Sequence, residues 1–208
     1  MRRRWRAFGA ALAAGAAATL VGVIGAGPRA TLDYIGILSD GSASPYWDNA
    51  SLPGAAVRLF TDNPYAEHVA TLPWTIYVAY AVGIGVVVFT AAKVQRDQEA
   101  GLWALVAASL LASPIAWHNY LVLLGPGILL LLARGRAGAA FLLLALQSIP
   151  AQWPLIWNDR ETVAASLAMT LYLYILITHW LVFLAATGET GDTEPVSGGI
   201  RSPADRVN

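Results

Sequence analysis

His118 and Asn119 are the first side chains in this chain to consider for chemistry, because they close the run Ser113-Pro-Ile-Ala-Trp-His-Asn-Tyr120 inside a stretch otherwise devoid of charge. From Ala100 to Ala133 no side chain is formally charged, over 34 residues. Two bilayer crossings sharing that stretch would have about 17 residues each, or about 25 Å of helix at 1.5 Å per residue, so the turn between them can hardly reach far into water. Pro114 interrupts the helix, and non-helical backbone at membrane depth is tolerated only where it is buried in protein or lines a wet cavity. His118 and Asn119 then sit at the rim of such a cavity. An ionisable residue there is a functional candidate. The structural alternative is a histidine capping a helix end through a backbone carbonyl, and position alone does not choose between the two.

A second polar segment stands upstream, Asn49-Ala-Ser-Leu-Pro-Gly-Ala-Ala-Val-Arg-Leu-Phe60. Leu52, Ala55, Ala56, Leu59 and Phe60 share one helical face by their spacing. Ser51 is a natural N-cap and Pro53 a natural first-turn residue. The pattern predicts a short helix along the membrane interface with its apolar face down, which would bring Arg58 near lipid phosphates. A loop helix that merely covers the bundle is the plainer reading. Asn49-Ala-Ser51 also fits the glycosylation-acceptor pattern, a three-residue signal too short to use.

Elsewhere the chemical signals are sparse. His179, beside Thr178 in an apolar span, fits a helix-to-helix hydrogen bond, and His68 has no partner legible in the sequence. No phosphate-binding glycine loop, dinucleotide fingerprint or paired-histidine metal motif occurs. The chain contains no cysteine, which excludes disulfides, zinc-thiolate sites and thiol nucleophiles. Neither a cofactor nor a metal is expected.

The elements that must position these residues belong to a membrane. Hydrophobic residues make up 57% of the chain and charged ones 12%, about half the share of a soluble domain, with a mean hydropathy of +0.55. Net charge is zero, so no global field recruits nucleic acid. The expected fold is all-α, a polytopic bundle of about six spans near residues 7–26, 74–92, 100–115, 117–133, 137–157 and 163–186, with the short interfacial helix in the first outer loop. Residues 1–187 form the membrane domain on this reading, and the Gly-, Ser- and Pro-rich stretch 188–208 a disordered tail. The basic start Arg2-Arg-Arg-Trp-Arg6 resembles the head of a secretory signal, but the apolar run after it is longer than such signals carry and reads as a retained first span. Gly9, Gly15, Gly22 and Gly25 suit that span to close packing inside the bundle.

Alternating the ends places Arg2, Arg3, Arg4, Arg6, Lys93, Arg96, Arg134, Arg136, Arg201 and Arg206 on one side, and Arg29, Arg58 and Arg160 on the other. The positive-inside rule makes the first side cytoplasmic. Both termini are then cytoplasmic in a multi-pass protein of the cell membrane, and the outer face receives residues 27–73, the 113–120 turn and the 150–162 turn.

Two segments resemble motifs of glycosyltransferase family 87, membrane enzymes of the GT-C class that include actinobacterial mannosyltransferases using polyprenyl-phosphate sugars. Tyr46 to Phe60 is similar to the family's Asn-x-Ser-x-x-Gly-x-x-x-Arg loop, and Ala112 to Leu121 to its Ser-Pro-x-Ser-Trp-x-His segment. The order and spacing agree over roughly residues 1–186. Ala116 stands where the family often has Ser, and His118 one position before its usual place. The resemblance implies an inverting transfer of a hexose, mannose above all, from a polyprenyl-phosphate donor to a glycolipid or glycan acceptor at the outer face, with no metal. It implies that Arg58 neutralises phosphate, that Trp117 and Tyr120 stack on sugar or isoprenoid, and that His118 with Asn119 binds the leaving phosphate or a hydroxyl. Asn49 and Ser51, as motif residues, join this substrate-binding set.

Family members are longer, and these motifs fall in their C-terminal half, so the resemblance also implies that the chain is the C-terminal part of the family fold, with an N-terminal half as missing partner. The carboxylate of the family's catalytic loop then has no counterpart here. Of the outer-face acids Asp33, Asp40, Asp48, Asp62, Glu67, Asp159 and Glu161, only Asp48, beside the Asn49 motif, is kept with His118 as a catalytic candidate. The rival reading is a non-catalytic membrane partner subunit or a small transporter. An ion-coupled transporter needs buried acids, and every Asp and Glu here falls in an expected loop or tail.

Overall fold

The computed structural model describes residues 2–39, 43–94, 97–156 and 162–188. The expectations placed on Asp40, Arg96, the Asn158 to Glu161 turn and the tail from residue 189 onward fall outside them. The chain divides into two compact units, residues 1–43 and 44–208.

The first unit holds helix α1, Arg2–Ala26, and helix α2, Pro28–Ser39. Gly27 between them has φ +84°, the left-handed conformation that ends a helix, and Pro28 opens the next with its preset φ. Helix α2 was expected as loop, and so Asp33 lies in a helix. Among the described residues of this unit, a Cβ placed on any of the four glycines of α1 would meet nothing within 4 Å.

The second unit is built from α3 (Leu52–Phe60), α4 (Thr75–Lys93), α5 (Gln98–Ala112), α6 (Gly125–Ala133), α7 (Ala137–Gln147), α8 (Val163–Ala168) and α9 (Leu171–Ala186). A 3-10 helix, His118–Leu124, leads directly into α6, and a shorter one covers Trp153–Ile156. Among the described residues there is no strand. Helix α5 is the hub: it packs against α4 on one side and α9 on the other. It can do so because its inward positions are small. Ala104, Ala107 and Ala108 are fully buried, and a Cβ on Gly83 of α4 would meet the Ala112 Cα at 2.7 Å. Small residues at the contact let backbones approach where lipid supplies no hydrophobic drive. Gly127 of α6 is likewise roofed by Trp103 and Phe183. Leu111, Ile128, Leu143 and Leu176 complete the core.

Two helices are long and apolar enough to cross a membrane by length and composition, Thr75–Lys93 and Val163–Ala186. Four further apolar stretches are shorter: Leu12–Ala26, Gln98–Ala112, His118–Ala133 and Ala137–Gln147. Six full-length spans are therefore not what the helices show. The reasons are local. Helix α5 stops at Ala112 ahead of Pro114, and α7 stops at Gln147 ahead of Pro150.

At one end of the bundle Asp97 caps α5, accepting from the Glu99 and Ala100 amides, and pairs with Arg134 at the end of α6. Arg134 also reaches Glu99 at 3.1 Å. In mid-bundle the Gln147 amide donates to the Leu121 carbonyl and to His179 Nε2, each at 2.9 Å, while His179 Nδ1–H donates to the Ile175 carbonyl. The helix-to-helix bond expected of His179 is thus present, between α7 and α9.

Candidate functional site

The two polar segments come together at the end of the second unit opposite Asp97. Helix α5 ends in extended backbone at Ser113, whose hydroxyl donates to the Ile115 carbonyl, and the chain stays non-helical to Trp117. Asn49 and Trp117 form an isolated antiparallel bridge, and the Ala50 amide donates to the Ala116 carbonyl at 2.7 Å. This short pairing closes the intervening chain that carries α3, α4 and α5.

Asn49 accounts for the register. Its side-chain nitrogen donates to the Ser44 and Pro114 carbonyls, and its side-chain oxygen accepts from the Ser51 and Ala116 amides. All four hydrogen-bonding positions of the amide are therefore used. Ser51 caps α3 by accepting from the Gly54 amide at 3.0 Å and donates to the Pro114 carbonyl. Gly54 is required by contact: a Cβ there would stand 2.2 Å from Asn49 Nδ2. The N-cap and the proline in the first turn are as expected.

Arg58 corrects an expectation. Its side chain is fully buried, and it donates to the Tyr46 carbonyl at 2.7 Å and the Asn49 carbonyl at 3.2 Å. It is not presented to lipid phosphates, because α3 does not lie flat on an interface: five of its nine residues are buried, against α4, α5 and α8. Burial pushes the guanidinium down to about 10, with the Asp48 carboxylate working the other way, so it stays charged at neutral pH.

What this framework holds up is Asp48. His118 Nδ1 lies 3.1 Å from Asp48 Oδ2. An ionised carboxylate only accepts, so the imidazole N–H is the donor and Nε2 is left for other partners. The side chains are 34% exposed for His118 and 14% for Asp48, which makes the imidazole the accessible member of the pair. Its ring also lies 5.4 Å from that of Tyr172 on α9.

A cleft of about 450 Å³ opens beside the pair, lined by Ser44, Tyr46, Asp48, Tyr65, Trp117, His118 and Asn119. Of the residues singled out in the sequence, Asp48, Trp117, His118 and Asn119 border it. Asn49, Ser51 and Arg58 lie buried behind it, and Tyr120, though partly exposed, is not among its lining. Tyr46 and Tyr65 were missed. Tyr46 stacks on Trp47 and meets Tyr65 and Trp117 edge-on. Tyr65 sits in a turn that Asn63 ties down, its side-chain oxygen accepting from the Tyr65 and Ala66 amides; an aromatic two positions after Asn in a loop was the available signal. His68 does have a neighbour, the Thr71 hydroxyl at 3.0 Å. Among the described residues no three His, Cys, Asp or Glu gather as a metal cluster would require.

Among the described residues, a helical bundle with two long apolar helices and an acid–imidazole pair at an aromatic cleft marks the class as a helical membrane protein with a polar site. More closely, the family model of glycosyltransferase family 87 matches residues 1–114, over half of the chain, and the chain belongs to that family. The matched stretch contains Asp48 and the whole Asn49 to Arg58 motif, and ends before Trp117 and His118. No curated protein and no solved structure matches.

Proposed function

We propose that this chain is a multi-pass glycosyltransferase of the cell membrane that moves a hexose, mannose in the first instance, from a polyprenyl-phosphate donor to a hydroxyl of a glycolipid or glycan at the outer face, both termini being cytoplasmic. The observation that carries the reading is the Asp48–His118 pair at the edge of an aromatic cleft.

The chemistry follows from the pair. An acceptor hydroxyl is a poor nucleophile until its proton has somewhere to go, and a positioned base contributes typically 10² to 10⁴ in rate. His118, the more exposed partner, takes that proton at Nε2 while Asp48 accepts the Nδ1–H and stabilises the imidazolium that forms. The hydroxyl oxygen bonds to the anomeric carbon from the face opposite the phosphate, and the bond from that carbon to the phosphate oxygen breaks with its electron pair on the leaving polyprenyl phosphate. Tyr46, Tyr65 and Trp117 offer ring faces and edges to the pyranose, and Asn119 offers an amide to its hydroxyls or to a phosphate oxygen.

The membrane setting is supported by the large apolar side chains exposed on the helices, among them Ile84, Val88, Leu129 and Phe141. One of the shorter stretches also has nearly the length to cross. The 3-10 helix at about 2.0 Å per residue and α6 at 1.5 Å give His118–Ala133 a length of about 27 Å, close to a hydrocarbon core. The ten-to-three split of basic residues under the six-span reading supports this orientation.

In nanodiscs, with the N-terminal half implied by the resemblance supplied in trans or as a fusion, the chain should release polyprenyl phosphate and form glycosylated product from polyprenyl-phosphate mannose, and Asp48→Asn should lower both by about 10² to 10⁴; the chain alone is expected not to transfer sugar. Transfer that proceeds from a sugar nucleotide instead, or that survives Asp48→Asn unchanged, overturns the reading.

A further inference from the structure

A guanidinium with no exposure to solvent is an expensive residue to keep, since desolvation of a charge must be offset by partners placed with good geometry. Arg58 has two, and both belong to one four-residue turn. Its two terminal nitrogens donate to the carbonyls of Tyr46 and Asn49, which flank Asp48 at two positions before and one position after. The turn is closed independently by the Asn49 amide donating to the same Tyr46 carbonyl at 3.0 Å. Asp48 therefore projects from a loop whose two ends are gripped by one planar fork. The carboxylate has only one hydrogen bond among the described residues, from His118; its Oδ1 is buried without a partner. Stabilisation of that second oxygen falls to charge, and the buried Arg58 cation interacts with Asp48 electrostatically.

We propose that Arg58 is a positioning residue for the Asp48–His118 pair: it grips the 46–49 turn on both sides of Asp48 and so fixes the carboxylate where the His118 Nδ1–H meets it. The arginine of the Asn-x-Ser-x-x-Gly-x-x-x-Arg motif then acts through the backbone and never touches substrate. A generic core cation would bond whatever carbonyls its helix happens to pass, such as helix ends. Here both accepting carbonyls flank the one acid among the described residues that borders the cleft. Lysine does not replace the fork, because a compact ammonium on a flexible stem lacks the two parallel donors set at a fixed spacing. The consequence for catalysis rests on the function proposed above, whereas the positioning itself can be read without any activity.

The test uses the imidazole N–H protons of the chain with nitrogen-15 histidine, in nanodiscs, at neutral pH. Only three histidines are present, His68, His118 and His179. The His179 Nδ1–H, bonded to the Ile175 carbonyl deep in the bundle, reports on the fold within the same spectrum. The wild type should show a hydrogen-bonded His118 Nδ1–H that is lost in Asp48→Ala. Arg58→Gln should lose it while the His179 signal persists, and Arg58→Lys should weaken it. Whichever variant keeps the His179 signal decides the matter: an unchanged His118 signal in it overturns the proposal. Loss of both signals in both variants also overturns it, by making Arg58 a residue of the global fold. Where the transfer assay works, Arg58→Gln should lower kcat in the wild type and leave the residual rate of Asp48→Asn unchanged. Absence of transfer in every variant, with the His118 signal still dependent on Arg58, removes the functional reading and leaves the positioning role standing.

Discussion

Asp48 and His118 lie 70 positions apart in the chain and 3.1 Å apart in space, the acid on a turn before α3 and the imidazole at the first residue of the 3-10 helix that feeds α6. If the two work as one unit, their removal is not additive. Asp48→Asn and His118→Ala should each lower kcat by about 10² to 10⁴, and the double variant should be no slower than the worse single one. A double variant slower by the product of the two effects would mean that the residues serve separate steps. Turnover under saturating donor is the quantity to compare.

Much of this site was legible in the sequence, and the parts that were not have physical reasons. The Ser51 cap, the proline of the first turn and the break at Pro114 are local signals, and each sits where it was read. Asp48 and His118 were singled out separately, one for its place beside a motif and one for its depth; only the Asn49 to Trp117 pairing joins them, and a pairing across 67 or more residues leaves no local trace. Arg58 was misread because its spacing along α3 tells which residues share its face but not that the preceding turn folds back over it. Helix α2 was missed because its start depends on the left-handed Gly27, and glycine within a Gly-rich run carries little information. About six spans were expected because apolar runs carry no trace of the early stop of α7 at Gln147 or of a seven-residue 3-10 helix.

Gly54→Ala should be costly out of proportion to its size. The added Cβ would fall 2.2 Å from Asn49 Nδ2, whose amide is fixed by four hydrogen bonds and cannot turn aside without breaking them. Overpacking of this kind costs about 1 to 3 kcal/mol. Thermal unfolding in detergent should show the loss, while Gly85→Ala, where a Cβ meets nothing within 4 Å, should leave the midpoint unchanged or raise it. Equal behaviour of the two variants would remove the contact as the reason for glycine at 54.

At the other end of the bundle, the Arg134 hydrogen bond holds the Asp97 carboxyl below its ordinary value of 3.8, against the opposing effect of burial. A carboxylate depressed on folding contributes stability above its unfolded value and loses it as pH falls through the folded one. Stability should therefore drop as pH is lowered from about 4 downward, and Arg134→Met should flatten that limb. Asp97→Asn keeps an acceptor for the Glu99 and Ala100 amides and removes the charge, whereas Asp97→Ala removes both. The alanine variant should be less stable by about 1 kcal/mol more, the usual value of an N-cap. Unfolding midpoints across pH 3 to 6 test both statements; an Arg134→Met profile parallel to the wild type would show that the pair does not titrate with folding.

The chain has no cysteine, which makes single-cysteine labelling clean. Asp62, exposed just after α3, and Gln98, exposed at the start of α5, lie at opposite ends of α4. In intact cells an impermeant maleimide should label Asp62→Cys and spare Gln98→Cys, with both labelled after permeabilisation. The reverse pattern would invert the proposed orientation and place the cleft in the cytoplasm.

Tyr65 is the residue through which the aromatic wall should be felt by the sugar. It is 40% exposed, stands edge-on to Tyr46 with ring centroids 5.2 Å apart, and is held by the Asn63 turn, so it can present its ring with little ordering left to be done on binding. A ring that only fills space would affect stability; a ring that meets the pyranose affects how tightly the sugar is held before reaction. Tyr65→Ala should raise KM for the donor by roughly fivefold, the equivalent of about 1 kcal/mol of ring contact, with kcat little changed. Tyr65→Phe keeps the ring face and should stay near the wild type, which separates stacking from any role of the hydroxyl. Tyr77→Ala, an equally bulky and more exposed deletion on the surface of α4, is the control and should change neither constant. A fall in kcat with KM unchanged in Tyr65→Ala would instead place the ring on the transition state, and a phenylalanine variant as poor as the alanine one would shift the role from the ring to its hydroxyl.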